Sequence, residues 1–171
     1  MNIPILDIGC GDLEYYKKMM KFGFKSQYYT VDKDEHIETL SRNIAKCYEE
    51  NNLMFFSSLD EFRLQDKLNI LLTEVIEHNN IDEAKALIRQ TLKYNINKMI
   101  ITSPNVEFNH FYNMENPWRH ADHVFEPNSE EFHAMIEECT AGKNCNVEYS
   151  YLGDSINGIQ LTQGCIIDFS L

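Results

Sequence analysis

Short apolar runs of strand length alternate with segments of helical period along most of the chain, and this alternation limits the fold more than any other feature. Ile3-Pro4-Ile5-Leu6-Asp7-Ile8 reads as a buried strand, with Gly9-Cys10-Gly11 as its turn and Asp12 as the N-cap of a helix over 12–21. A second strand is expected over 27–32. The segment 35–50 then carries Ile37, Leu40, Ile44 and Cys47 at helical spacing. Strands follow at 53–57 and 68–73, then a helix over 82–94 with Ala84, Leu87, Ile88 and Leu92 inward. A fifth strand over 98–102 is stopped by Ser103-Pro104-Asn105. The segment 106–128 has no clear period and is long for a loop, and loops of that length are usually functional or mobile. Ser129 is expected to cap a helix with Phe132, Met135 and Ile136, and 147–152 and 165–169 read as closing strands. Such alternation implies an α/β fold, a mostly parallel sheet with helices on both faces. The 171 residues read as a single domain, 1–171, long enough for a real core.

A hydrophobic fraction of 43% fits a globular chain. Apolar runs stay well short of the roughly 20 residues that span a bilayer. Met1-Asn2-Ile3-Pro4 lacks the basic region of a secretory signal. The cysteines, Cys10, Cys47, Cys139, Cys145 and Cys165, are odd in number and scattered, which points to a reducing cytoplasm rather than a disulfide framework. Lys+Arg is 15 against 27 Asp+Glu, a net charge of −12. That field repels a long polyanion, so any nucleic-acid role needs a small local site or a basic partner.

At the first turn the glycines let a ligand approach the backbone, and the helix start offers free N–H groups. Asp7 can accept from an ammonium or a hydroxyl. Asp32, at the end of the second strand and roughly 20 residues on, can hold both hydroxyls of a ribose. The third glycine of a dinucleotide turn is missing, because Leu13 and Glu14 follow Asp12. DxGxG with a later acid resembles instead the S-adenosylmethionine (SAM) turn of class I methyltransferases.

Thr73-Glu74-Val75-Ile76-Glu77-His78 follows the fourth strand directly. If the chain coils there, Glu74, Glu77 and His78 stand at i, i+3 and i+4 on one face. Glutamate oxygen with imidazole nitrogen suits a divalent ion, Mg²⁺ or Mn²⁺. His120 or His123 can supply a further ligand, and spacing does not choose between them. Asp122 stands beside His123 and could orient an imidazole.

Three pieces carry a resemblance: Glu74-Val75-Ile76-Glu77-His78, Ser103-Pro104-Asn105-Val106-Glu107-Phe108-Asn109, and Arg119-His120-Ala121-Asp122-His123-Val124-Phe125-Glu126. Together they resemble the small-RNA 3′-terminal ribose 2′-O-methyltransferases, the HUA-ENHANCER (HEN) family, in its bacterial form. The resemblance implies a class I SAM-dependent methyltransferase, Rossmann-like, with a seven-stranded mostly parallel sheet whose last strand is antiparallel. It implies a metal held by Glu74, Glu77, His78 and His123, favouring His123 over His120. It implies SAM held by Asp7, Gly9 and Gly11, by Asp32 at the ribose, and by Ser58-Leu59 at the adenine. The implied reaction is metal-dependent methyl transfer to the 2′-OH of a 3′-terminal nucleotide of small RNA, with His78 or His120 taking the proton. The implied partners are the 3′ end of RNA and an RNA-repair kinase-ligase protein.

The family commonly continues DHxFEW with Thr-Arg, whereas here Glu126 is followed by Pro127-Asn128-Ser129. Bacterial members often carry a further N-terminal half, and only a few residues stand ahead of Asp7 here. Two other functions fit the sequence: metal- and SAM-dependent O-methylation of a small diol, and a binding subunit of a repair complex. Trp118 can stack on a terminal base or pack under the long loop. Tyr15, Tyr16, Met19 and Met20 read as core and flank, and Lys17, Lys18 and Lys21 as a solvated face.

Overall fold

The apolar run Ile5–Ile8 forms β1, with all of its residues buried, as a strand covered on both faces requires. The structure, a computed structural model, describes residues 3–48, 52–112 and 116–170. Its sheet has seven strands in the order β3-β2-β1-β4-β5-β7-β6. By its internal contacts the chain divides into two compact units, Met1–Leu71 with Tyr94–Asn97 and Leu72–Lys93 with Lys98–Leu171.

In the first unit β1 pairs parallel with β2 (Tyr28–Val31), Ile5 opposite Tyr28, and with the start of β4 (Leu68–Thr73), Ile5 opposite Asn69. β2 pairs parallel with β3 (Leu53–Phe56). Leu6, Leu13, Tyr16, Tyr28, Leu68 and Ile70 are fully buried. Each such side chain contributes roughly 1.5–3 kcal/mol of apolar burial. Helix α1 spans Glu14–Lys21, and its N-cap is Leu13, not the expected Asp12. Leu13 sits at φ 59° with its side chain wholly in the core. Burying it keeps the turn going past the exposed Asp12, so the helix begins later. Of the expected stripe, Tyr16 is core while Tyr15 is 41% exposed. Helix α2 spans Glu35–Tyr48 and buries Ile37 and Ser41, with Leu40 and Ile44 half-buried and Cys47 exposed. The expected continuation to 50 lies outside the described residues, as do Met1 and Asn2, on which the reading of the N-terminus rested.

In the second unit a single 3-10 turn, Ile76–His78, follows β4. Helix α3 (Ile81–Thr91) has Asn80 as its N-cap, in a capping box with Glu83. β5 spans Ile96–Pro104. It continues through Ser103 and Pro104, the expected stop, because these pair with Gln163 and Thr162 of β7. The long segment after it opens with a 3-10 helix, Val106–Phe111, and its residues 113–115 lie outside the described ones. Helix α4 (Ser129–Thr140) is capped by Asn128, whose side chain accepts from the amide of Glu131 while the Glu131 carboxylate returns to the Asn128 amide. Asn128, not Ser129, is thus the cap. β6 (Asn146–Ile156) and β7 (Ile159–Asp168) form one long antiparallel hairpin, far longer than expected. Asn157 and Gly158 make its turn at φ 51° and 83°, the positive pair that a two-residue hairpin needs. β7 runs antiparallel to β5 as well, so the last strand of the chain is reversed, as expected.

Candidate cofactor turn and metal centre

The turn after β1 is held open by its own backbone. Gly9 and Gly11 sit at φ 68° and 45°, in the left-handed region that favours glycine. Gly9 N–H donates to the Val31 carbonyl at 2.8 Å and Gly11 N–H to Asp32 Oδ2 at 3.1 Å. The other oxygen of Asp32 accepts from the Asp34 amide at 3.0 Å. Asp32 thereby joins the turn to the end of β2, and each of its oxygens keeps a lone pair for a ligand hydroxyl. Asp7 is buried. Its Oδ2 accepts from the Tyr28 hydroxyl at 2.7 Å, and its Oδ1 has no partner among the described residues. Burial, with the Asp32 charge adding to it against the Tyr28 bond, pushes Asp7 up to about 6. An unpaired buried carboxylate oxygen is costly unless a donor arrives, and a cofactor ammonium is such a donor. Ser58 and Leu59 lie in the same unit after β3. Leu59 is buried and its carbonyl accepts from the Tyr94 hydroxyl at 3.2 Å, while Ser58 is half-buried.

In the second unit Glu77, His78 and His123 converge: one ligand atom from each lies within 4.8 Å of the others. Glu77 is wholly buried, and neither of its carboxylate oxygens has a partner among the described residues. Burial, and after it the charge of Glu74, push Glu77 up to about 8. Such a group is held at a loss unless a cation completes it. The backbone clamps the two ligand-bearing segments together, since Val124 and Phe125 N–H both donate to the Glu77 carbonyl, at 2.9 and 3.2 Å.

His123 is buried, with Nδ1 2.5 Å from Glu126 Oε1. His78 Nδ1 lies 3.3 Å from the exposed Asp122 Oδ2. The rings of His78 and His123 meet edge to face at 4.9 Å. The ring of His120 also lies 5.0 Å from that of His123, but His120 is exposed and outside the converging group. Glu74 also stands outside it. The expected helical face does not form, because Glu74 sits at φ 55° ahead of the short turn, and its carboxylate accepts from the Thr102 hydroxyl at 2.8 Å.

The remaining named residues are mostly structural in their contacts. Asn105 and Asn109 are buried: Asn105 accepts from the Glu107 amide at 3.0 Å, and Asn109 donates to Glu126. Trp118 is half-buried and Lys17 pairs with Glu14. Sequence reasoning gave no role to Glu126 or Thr102. For Glu126 a signal existed, an acid three residues beyond a ligand histidine; for Thr102, a strand neighbour of Glu74, there was none.

Known proteins similar to this chain fall into two groups, one matched by sequence and one by structure. No family model matches the chain. A curated small RNA 2′-O-methyltransferase of Caenorhabditis elegans is 36% identical over 80 residues, which are 46% of this chain and 18% of that protein. A chain in the structure of the Pnkp1/Rnl/Hen1 RNA repair complex is 38% identical with a TM-score of 0.85, over 98% of this chain and 38% of that one. The methyltransferase domain of the bacterial CtHen1-C is 21% identical with a TM-score of 0.79, over 98% of this chain and 90% of that domain, and there the likeness is one of fold. This chain thus spans well under half of the first two relatives. The resemblance read from three motifs extends along nearly its whole length, and its fold is that of the class I SAM-dependent methyltransferases.

Proposed function

We propose that residues 1–171, read as one methyltransferase domain of the HEN type, transfer a methyl group from SAM to the 2′-hydroxyl of the 3′-terminal nucleotide of a small RNA. The observation that carries this reading is the convergence of Glu77, His78 and His123, where both Glu77 carboxylate oxygens lack a partner among the described residues. A binding scaffold has no use for that arrangement.

In this reading Glu77, His78 and His123 hold Mg²⁺ or Mn²⁺, with Glu74 as the fourth protein ligand. A divalent ion there supplies Lewis acidity that lowers the pKa of a ribose hydroxyl and orients it. Asp7 takes the amino group of SAM on its unpaired oxygen, Gly9 and Gly11 admit the cofactor to the backbone, Asp32 takes its ribose hydroxyls, and Ser58-Leu59 lie at the adenine. The 2′-OH proton goes to His78 or His120. His120 is the freer base, because it stands exposed outside the ligand group while His78 belongs to it.

A vicinal-diol requirement confines action to strand ends and to few phosphates, which suits a net charge of −12. Likeness to a chain of a Pnkp1/Rnl/Hen1 complex supports an RNA-repair kinase-ligase partner. Among the described residues no helix is long and apolar enough to cross a membrane, and the five free thiols favour a reducing cytoplasm. The acidic charge and Pro127, where the family has an aromatic residue, favour the second reading, O-methylation of a small diol.

The test is tritiated methyl transfer from SAM to a short RNA, with Mn²⁺ or Mg²⁺, with EDTA, and with the same RNA ending in a 2′-deoxy nucleotide. Transfer that needs both metal and terminal 2′-OH is expected. Transfer to the 2′-deoxy end overturns the assignment. Transfer to a vicinal-diol small molecule with none to RNA selects the second reading.

A further inference from the structure

Glu126 is 2% exposed, and nothing in the proposed reaction uses it. Three groups meet its carboxylate: the Arg119 amide donates at 2.7 Å, the side-chain amide of Asn109 donates to the other oxygen, and His123 Nδ1 stands 2.5 Å away. Asn109 is fixed in turn, because its Oδ1 accepts from the Arg119 guanidinium at 3.3 Å. That guanidinium also donates to the Leu161 carbonyl at 2.9 Å. A buried carboxylate held by a backbone amide and a buried asparagine does not follow an imidazole; the imidazole conforms to it.

An amide N–H donates to each of its two oxygens, so the carboxylate acts here as an acceptor and the imidazole nitrogen facing it is the donor. We propose that Glu126 is the positioning residue of the centre. It holds His123 with Nδ1 protonated and so reserves Nε2 for the cluster with Glu77 and His78. Asp122 makes the corresponding contact with His78 at 3.3 Å, but its side chain is 71% exposed and water competes for it. One imidazole of the pair is therefore fixed from the protein interior and the other only from the surface. The proposal rests on the metal reading above for its purpose, though not for its geometry.

The experiment is imidazole ¹⁵N NMR on the metal-free full chain at pH 8, with the His123 signals assigned through a His123→Gln variant. Nδ1 protonated and Nε2 bare is the expected state. A protonated Nε2 on His123 in the unchanged chain overturns the proposal, and no variant is needed for that result. In Glu126→Gln the tautomer is expected to become mixed or reversed. Mn²⁺ affinity, read by electron paramagnetic resonance, should weaken about 10–100-fold while SAM affinity stays unchanged. An unchanged tautomer with unchanged Mn²⁺ affinity in that variant equally overturns it. Should the unchanged chain bind no Mn²⁺, the metal reading fails, and the ¹⁵N spectrum still decides on Glu126.

Discussion

Thr102 Oγ1 donates to Glu74 Oε1 at 2.8 Å and accepts the Glu74 backbone N–H at 3.2 Å. The pair ties the end of β4 to β5 and holds Glu74 at φ 55°, a setting that costs a non-glycine residue roughly 1–2 kcal/mol. To join a metal, the Glu74 carboxylate would exchange the threonine hydroxyl for the ion. Thr102→Val is therefore expected to lower stability by about 1 kcal/mol, or roughly 2–4 °C in Tm. Mn²⁺ affinity should be kept in that variant and should fall at least tenfold in Glu74→Ala. Thermal melts and a Mn²⁺ titration on both variants separate the two roles. Full affinity in Glu74→Ala removes Glu74 from the ligand set.

Glu77 pays for its position, with both carboxylate oxygens buried and without a partner among the described residues. Glu77→Gln keeps the shape and, at pH 9, above the value of about 8 to which burial pushes Glu77, removes the charge. The metal-free variant is expected to be more stable than the parent by about 1 kcal/mol, a rise of roughly 2–4 °C. Mn²⁺ should raise the melting temperature of the parent and leave that of the variant where it is. A variant less stable than the metal-free parent would show that the charge has a protein partner after all.

Asp7 gives a pH dependence of known sign. Burial raises it from an ordinary 3.8 to about 6. Between those values the folded chain binds more protons than the unfolded one, so stability falls as pH rises through that window. The slope from this group approaches about 1.4 kcal/mol per pH unit. Asp7→Asn removes it, so the stability difference between parent and variant should change between pH 4 and pH 6 and level off above. SAM affinity of the parent should rise over the same interval, because the carboxylate form receives the ammonium. Urea unfolding and SAM titration across this range check both, and a pH-independent difference would contradict the assigned burial.

The elements easiest to read in the sequence were those with the least choice. β1 and β4 are buried on nearly every residue, so they appear as unbroken apolar runs. The hairpin of β6 and β7 is the opposite case. Tyr151, Leu152 and Ile156 are exposed, Gly153 and Asp154 interrupt the pattern, and Asn157-Gly158 is the one local cue. In the site, Glu77 and His78 could be named in advance because their chemistry is unusual at that spacing, whereas only the family resemblance favours His123 over His120. The bond between Thr102 and Glu74 could not, since it depends on which strands lie side by side. The contact of Glu126 with His123 lies between: the residues are neighbours in sequence, but only burial shows that the carboxylate faces the ring and not the solvent.

His120 and His123 are three residues apart and their rings touch, yet the structure gives them different surroundings. His123 is buried, bonded through Nδ1 and grouped with Glu77 and His78; His120 is exposed. A ligand and a base respond differently to loss. His123→Gln is expected to weaken Mn²⁺ at least tenfold and to abolish methyl transfer at ordinary metal concentrations. His120→Gln is expected to leave Mn²⁺ affinity within about twofold and to lower kcat by roughly 10²-fold at saturating metal, with KM for RNA little changed. Parallel Mn²⁺ titrations and kcat and KM measurements at saturating metal distinguish the two. If His120→Gln keeps its rate, the proton goes elsewhere, and His78 is the next residue to replace.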